Sequence, residues 1–409
     1  KEDAKSIVST IFTKANFILI AWFLGIYFIA YFILGYFFPG SATNNNSLLS
    51  NSYTLFYSKK DIYLNFLKKR VDNEIIPVNK MVTFPFQIPF YFNKKDEYLR
   101  AEFFDNLVSK KIKKNHNYKV FIGWSSMSLN SIKQAKKDSK LVILERGSSH
   151  IEFQNEILKN EYSLYDKSFA IDKRIIEKEL EEYSLADYIS IPSQFVKDTF
   201  IEKGVDKNKL IVNNYGTSSY FTPNKNSNIN NKTKFRIIYL GGTSIRKGVK
   251  YLIEALLNLN INPEYFEVWF IGEPENDFIS EYLNSNKKSN WKFFGRINHY
   301  ELSNYLNTCD IAIQPAIEEG LSRVIPQLLA CGVPVIATSN TGGADLIEDN
   351  INGFIIPIRD YIAIKDKIEL SFYNKDLNLK MKKYCNNIDN KNTWEDYGKR
   401  YSKFLKSIL

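Results

Sequence analysis

Residues 310–338 read DIAIQPAIEEGLSRVIPQLLACGVPVIAT. DIAIQP is a short apolar run closed by Pro315, the pattern of a buried strand. Glu318, Glu319 and Gly320 follow as an acidic loop. Pro326 suits the first turn of a helix, where a missing N–H is no loss. Gly332 suits the helix end, and Pro334 opens a second strand, PVIAT. The order strand, loop, helix, strand implies a parallel sheet. It sets Glu319 at the carboxyl end of a strand just ahead of a helix, where ligands bind in open α/β sheets.

The same rhythm runs outward in both directions. Upstream strand candidates are YTLFYS (53–58), MVTFPF (81–86), YKVFIGW (118–124), LVILER (141–146), DYISIPS (187–193) and LIVNNYG (210–216), with helical patterns such as IDKRIIEKELEEYSLA (171–186) between them. Residues 222–234 are polar, Asn-rich and aperiodic, and read as a linker. The alternation restarts with FRIIYLGG (235–242), KGVKYLIEALLNL (247–259), YFEVWFIG (265–272), WKFFG (291–295) and HYELSNYLNTC (299–309). GFIIPI (353–358) adds a last strand, and WEDYGKRYSKFLKSI (394–408) a closing helix. The boundaries that follow are 1–222, a linker at 223–234, 235–390, and a terminal helix over 391–409.

The chain has 409 residues, enough for two domains with cores of their own. Its 3 Cys show no metal-like spacing, and Cys309 and Cys331 end apolar elements, so no disulfide framework is expected and a reducing compartment is. Net charge is +10, with a local cluster at Lys110, Lys111, Lys113 and Lys114. The cluster reads either as a solvated helix face or as an attraction for anionic headgroups and phosphates. No nucleic-acid motif accompanies it, so a nucleic-acid partner is not expected.

Residues 17–38, FILIAWFLGIYFIAYFILGYFF, carry no charge and are long enough to span a bilayer. They are long for the core of a signal peptide. AKSIVSTIF (4–12) reads as the first strand, which makes 17–38 the first crossover helix of the N-terminal domain with an outer face that meets a membrane. A plain buried helix and a true span are the alternatives. The sequence opens on Lys1, without an initiator Met.

Three stretches bear chemistry. LGGTSIRKGVKYLIEAL (240–256) is a strand-to-helix turn in which Gly241 and Gly242 allow close backbone approach. Arg246 and Lys247 stand there at a helix N-terminus, a combination suited to a diphosphate. ERGSSHI (145–151) ends a buried strand with His150, one of 3 His in the chain, placed either to touch a ligand or to serve the structure. Arg146 there pairs with a phosphate or acceptor, or with a neighbouring carboxylate. WSS (124–126) ends the preceding strand. Glu319 is the acidic candidate and Glu318 a bystander. No Asp-x-Asp pair or His/Cys/Asp ligand set is present, so no metal is expected.

Residues 310–338 closely resemble the nucleotide-sugar signature of the retaining GT-B glycosyltransferases of family 4 (glycosyl transferases group 1). In that pattern Glu-Gly is followed by a second Glu on the helix and by Ala-x-Gly-x-Pro-Val-Ile. Lys247-Gly248 resembles the family's diphosphate-gripping Lys-Gly, and FFGRINHYEL (293–302) its base-contacting loop. The resemblance is continuous from about residue 141 to 409. It implies an α/β, GT-B architecture: two Rossmann-like domains, an interdomain cleft and a C-terminal helix that crosses back to the first domain. It implies that Lys247 and Arg246 steady the departing diphosphate of a UDP- or GDP-linked sugar. Glu319 then orients the sugar, with backbone N–H groups of Gly320, Leu321 and Ser322, and His150 contacts the sugar. Gly241, Gly242, Arg296, Ile297 and Gln327 complete the donor site.

Three departures stand against full activity. Gln327 replaces the second Glu, which binds the ribose, Gly242 replaces the family Arg, and the loop expected after the first strand, FTKANF (12–17), lacks glycine. TSNTGGADLI (338–347) resembles a further family loop whose N–H groups face the donor, or is a structural turn. The function implied is transfer of a sugar to a glycan or lipid-linked acceptor in envelope polysaccharide or lipopolysaccharide synthesis, at the cytoplasmic face of a membrane. The alternatives are a non-catalytic GT-B module that binds a glycan or partner, and a nucleotide-sugar epimerase.

Overall fold

The structure is a computed structural model that describes residues 17–20, 53–58, 81–84, 97–114, 118–223, 234–273, 278–387 and 392–409. Two parallel sheets organise it. The N-terminal one contains β1 (Phe17–Ile20), β2 (Tyr53–Ser58), β3 (Met81–Phe84), β4 (Val120–Trp124), β5 (Leu141–Glu145), β6 (Tyr188–Ile191) and β7 (Leu210–Val212), in the order β3-β2-β1-β4-β5-β6-β7. Helices α1 (Glu97–Ile112), α2 (Leu129–Lys137), α3 (Ile151–Ser163), α4 (Lys173–Leu185) and α5 (Gln194–Glu202) connect or flank these strands.

The C-terminal sheet contains β8 (Phe235–Leu240), β9 (Phe266–Ile271), β10 (Trp291–Phe293), β11 (Ile311–Gln314), β12 (Val335–Thr338) and β13 (Gly353–Ile356), in the order β10-β9-β8-β11-β12-β13. Its helices are α6 (Val249–Leu257), α7 (Phe278–Asn286), α8 (His299–Leu306), α9 (Val324–Ala330), α10 (Tyr361–Tyr373) and α11 (Lys375–Cys385), and α12 (Trp394–Ile408) closes the chain.

Strands buried on both faces must be apolar throughout, and alternate side chains then feed two different cores. β8 does this. Ile237 and Tyr239 join one core with Val249, Leu252 and Ile364. Ile238 and Leu240 join the other with Ile325, Leu328 and Val335. In the N-terminal domain Phe121, Val142, Leu144 and Ile189 pack with Phe104, Val108 and Phe200. All three cysteines are buried and free.

The strand order reverses between β1 and β4 in the first sheet and between β8 and β11 in the second. Neighbouring connections leave in opposite directions at such a point, and a crevice opens at the carboxyl ends of the strands. The loops after β8 and β11 therefore face each other across the C-terminal crevice, and they are the loops that carry Lys247 and Glu319.

The start of the chain differs from the expectation. Phe17–Ile20 is strand β1, paired in parallel with both β2 and β4, so the apolar run begins in a strand and not in a helix, while the strand expected over 4–12 lies outside the described residues. Residues 12–16 of the glycine-free stretch likewise lie outside the described residues. Residues 21–38 lie outside the described residues. Among the described residues no helix is long and apolar enough to cross a membrane.

α12 returns to the first domain. Its entry is held by a capping box between Thr393 and Asp396. Arg400 donates to Asn213 Oδ1 at 2.9 Å and to the Asn214 carbonyl at 2.6 Å. Phe404 meets Tyr188 edge-on. Tyr401 donates to buried Glu145 at the end of β5, at 2.8 Å.

Burial pushes the Glu145 carboxyl up to about 7, against the pull of Tyr401 and Ser190. A raised folded-state value means that the native protein holds a proton the unfolded chain has released. The stability this gives is present below the ordinary carboxyl range and is lost as pH rises toward about 7. Glu145→Gln mimics the protonated acid. Its melting temperature is expected to match wild type near the ordinary carboxyl range, to exceed it increasingly as pH rises to about 7, and to keep a constant lead above that. A gap that does not change with pH in thermal melts contradicts this assignment.

Candidate active site

The loop after β8 is short and tightly held. Lys247 N–H donates to the Ser244 carbonyl at 3.1 Å, and Ile317 N–H donates to the Arg246 carbonyl at 2.9 Å, which ties this loop to the one after β11. Gly248, at φ +64°, is the point of closest approach: a Cβ there would lie 1.9 Å from the Pro315 carbonyl oxygen. The Lys-Gly pair is thus explained locally. Glycine brings the two loops into contact, and lysine stands beside that contact. Gly241 N–H bonds the Ile271 carbonyl at 2.9 Å, and the Gly242 carbonyl accepts from the Tyr239 hydroxyl at 2.6 Å.

Glu319 and Lys247 form an ion pair, and Arg246 Nη2 lies 3.5 Å from the same carboxylate. Burial works to raise the Glu319 carboxyl, but Lys247, Arg246 and Arg323 together hold it below the usual carboxylate range. The result is a compact group of two paired cations and an ionised carboxylate at the mouth of the β8/β11 crevice. Charge that develops on a leaving group between these loops would meet Arg246 and Lys247 at once.

Glu318, set aside in the sequence, is fully buried. It accepts from Ser149 N–H at 3.0 Å, Ser149 Oγ at 2.7 Å, Gln154 Nε2 at 2.9 Å and Arg246 Nε at 3.0 Å. Ser149 and Gln154 belong to the N-terminal domain. No sequence signal links residues that lie so far apart in the chain.

Gly320 brings the backbones of the two domains together, since a Cβ there would lie 2.0 Å from the Gly147 carbonyl oxygen. Its own carbonyl accepts from Ser193 Oγ at 2.5 Å. Asp345, in the TGGAD loop, accepts from Gln194 N–H at 2.8 Å and Asn214 Nδ2 at 2.6 Å. This loop therefore serves the domain contact, the structural one of its two readings.

Other candidates are placed differently. His150 is 1% exposed, enclosed by Tyr183 and Phe200, and caps α3 by accepting from Glu152 N–H through Nδ1. Burial, with Arg146 and Lys203, pushes its ring down to about 4. A sugar contact or a catalytic proton transfer at this ring is thus not what the geometry offers. Arg146 takes the structural one of its readings, bonding Glu179 at 2.9 Å. Ser126 of the WSS loop is bound by Glu179 and Glu182.

Leu321 and Ser322 are buried, and Ser322 N–H is committed to the Thr341 carbonyl at 3.0 Å, so it is not offered to a sugar. Gln327 Nε2 stands 3.4 Å from His299 Nε2, and His299 Nδ1 bonds the Tyr220 hydroxyl. Arg296 is exposed in the loop after β10, and Ile297 packs on the adjoining core. Among the described residues no group of His, Cys, Asp and Glu is arranged to hold a metal ion.

Comparison with known proteins agrees with this architecture. The crystal structure of Anabaena Alr3699/HepE in complex with UDP superposes with a TM-score of 0.69 at 15% identity, covering 96% of this chain and 100% of that one. The fold is GT-B. Residues 221–387 match the family described as glycosyl transferases group 1. Capsular polysaccharide biosynthesis glycosyltransferase CapM of Staphylococcus aureus is 26% identical over 259 residues, covering 59% of this chain and 67% of CapM. A 41.2 kDa protein in the cps region of Klebsiella pneumoniae is 24% identical over 230 residues, which is 52% of this chain and 62% of that protein. The match thus spans less than two thirds of the Klebsiella relative's own length. Together these similarities support a transferase of the GT-B glycosyltransferase kind.

Because Gly320 sits where the two domains touch, Gly320→Ala must push the backbone at Gly147 away. Overpacking of this kind costs about 1–3 kcal/mol. The expected result is a lower melting temperature with a larger radius of gyration in solution scattering. Unchanged values of both contradict the close contact.

Proposed function

We propose that this protein transfers a sugar from a nucleoside-diphosphate donor to a glycan or lipid-linked acceptor, with retention at the anomeric carbon, in the synthesis of an envelope polysaccharide. The observation that carries the reading is the Lys247–Glu319–Arg246 group at the β8/β11 crevice. The relatives agree with it: CapM acts in capsular polysaccharide biosynthesis, and HepE has been crystallised with UDP.

In this reading the donor diphosphate lies against Lys247 and Arg246. As the bond from the anomeric carbon to the phosphate oxygen lengthens, negative charge grows on the leaving diphosphate. The ammonium and guanidinium stabilise that charge where it forms, which lowers the barrier. Glu319, kept ionised, accepts hydrogen bonds from sugar hydroxyls and fixes the anomeric carbon. The acceptor hydroxyl attacks from the face the diphosphate leaves, and its proton passes to the departing phosphate oxygen. The two cations do the work that a divalent metal does elsewhere, so the reaction is metal-independent. The donor base is uracil or guanine, and the protein works at the cytoplasmic face of a membrane, near a lipid-linked acceptor.

Gln327 favours a second reading. Its amide is within reach of His299 and offers one acceptor oxygen where the family pattern has a carboxylate. A module that binds nucleotide or glycan without turning it over accommodates this more easily than an active transferase does.

A ligand that binds only the native state raises its melting temperature. With UDP, GDP, ADP and CMP in turn, one nucleoside diphosphate is expected to stabilise the wild type. Lys247→Ala, referred to its own ligand-free melt, is expected to lose most of that shift. Stabilisation of equal size in both proteins contradicts the phosphate role of Lys247. Binding without sugar transfer or donor hydrolysis supports the second reading.

A further inference from the structure

Helix α3 grips the C-terminal domain along its whole length. Ser149, just ahead of it, and Gln154, in its first turns, bond Glu318. Ile157 and Tyr162 pack against the core formed by Ile237, Val249 and Leu252. Near its end, fully buried Glu161 accepts from Tyr251 Oη of α6 at 2.9 Å and from Arg359 Nε at 2.6 Å. The helix is set rigidly in its own domain. His150 caps it, and Arg146, itself bound to Glu179, holds both the Ser149 carbonyl, at 3.0 Å, and Gln154 Oε1, at 3.0 Å.

One member of this grip reaches the donor loop. Glu318 Oε1 takes both Ser149 donors, and Oε2 takes Gln154 and the Nε of Arg246. The Glu318 carbonyl also accepts from the same Nε, at 3.1 Å. The guanidinium is thus fixed at its Nε end, and its Nη2 is left toward Glu319. A carboxylate buried this completely is tolerable only with all its partners in place. When the N-terminal partners withdraw, Glu318 loses three of the donors named above and the orientation of Arg246 is no longer imposed.

We infer that Glu318 is a positioning residue: it couples the seating of α3 on the C-terminal domain to the orientation of Arg246 at the donor diphosphate. The inference rests on the donor-site reading given above. The N-terminal domain then contributes to donor binding through Ser149 and Gln154 without a contact of its own to the nucleotide.

The test is a double-mutant cycle on Ser149→Ala and Arg246→Lys, with UDP and, in parallel, GDP as probes, read by calorimetric dissociation constants. Both residues bond Glu318. Ser149→Ala keeps the backbone donor and is mild for folding. It is expected to weaken nucleotide binding by about tenfold, the size of one charge-assisted hydrogen bond. In the Arg246→Lys background, where the guanidinium is gone, the same change is expected to have little further effect. Wild-type affinity in Ser149→Ala, or strictly additive losses, overturns the inference.

Solution scattering of ligand-free wild type and Glu318→Gln separates the two levels of the argument. If neither nucleotide binds the wild type, the donor-site reading fails. A larger radius of gyration in Glu318→Gln then still upholds the grip between the domains, and an unchanged radius overturns that as well.

Discussion

Two consecutive carboxylates, fully buried Glu318 and partly buried Glu319, share one loop, and groups from both domains meet their charges. Glu318 turns to the N-terminal domain and Glu319 to the loop after β8. An unpaired buried carboxylate costs several kcal/mol, at the order-of-magnitude level, and that cost falls only when donors surround it. Ser149 and Gln154 surround Glu318 from one domain, and Lys247 meets Glu319 from the other. Arg246 stands between them and touches both.

This arrangement links packing to chemistry. Gly248 and Gly320 let three backbone segments approach to distances that a Cβ would forbid, and the charged groups occupy the space those approaches define. The polar contacts between the domains lie mainly on Glu161, Glu318, Asp345 and the Gly320 carbonyl. These are hydrogen bonds and ion pairs with defined geometry, flanked by the apolar packing of α3. Such contacts fix the relative placement of the domains sharply while holding them less firmly than a continuous apolar seam. A cleft between domains needs that balance, because a substrate must enter before the walls are in register.

Much of the C-terminal domain could be read from sequence. β8, β9, β11, β12 and β13 are short apolar runs bounded by Gly or Pro, and the helical patterns at 247–259 and 299–309 fall on α6 and α8, while α7 went unread. The N-terminal strands from β4 to β7 were equally legible. β1 was not. It is four residues of an uncharged stretch with no polar residue to mark its end, and a short piece of such a run looks the same as strand or helix by pattern alone. The grouping of Lys247, Arg246 and Glu319 was legible because each stands in a loop that follows a strand. Glu318 was not, because its partners lie in another domain. His150 was given a ligand-facing place from its position after a strand, while its surroundings, Tyr183 and Phe200, were invisible in the local sequence.

The proposed contact of a nucleoside diphosphate with Arg246 and Lys247 is open to direct measurement. Phosphorus NMR of UDP or GDP titrated with the protein reads this contact at the atoms concerned. The β-phosphate resonance is expected to shift and broaden with wild type and to return toward its free position with Lys247→Ala at the same protein concentration. The same perturbation in both proteins, or none with either nucleotide, would contradict it.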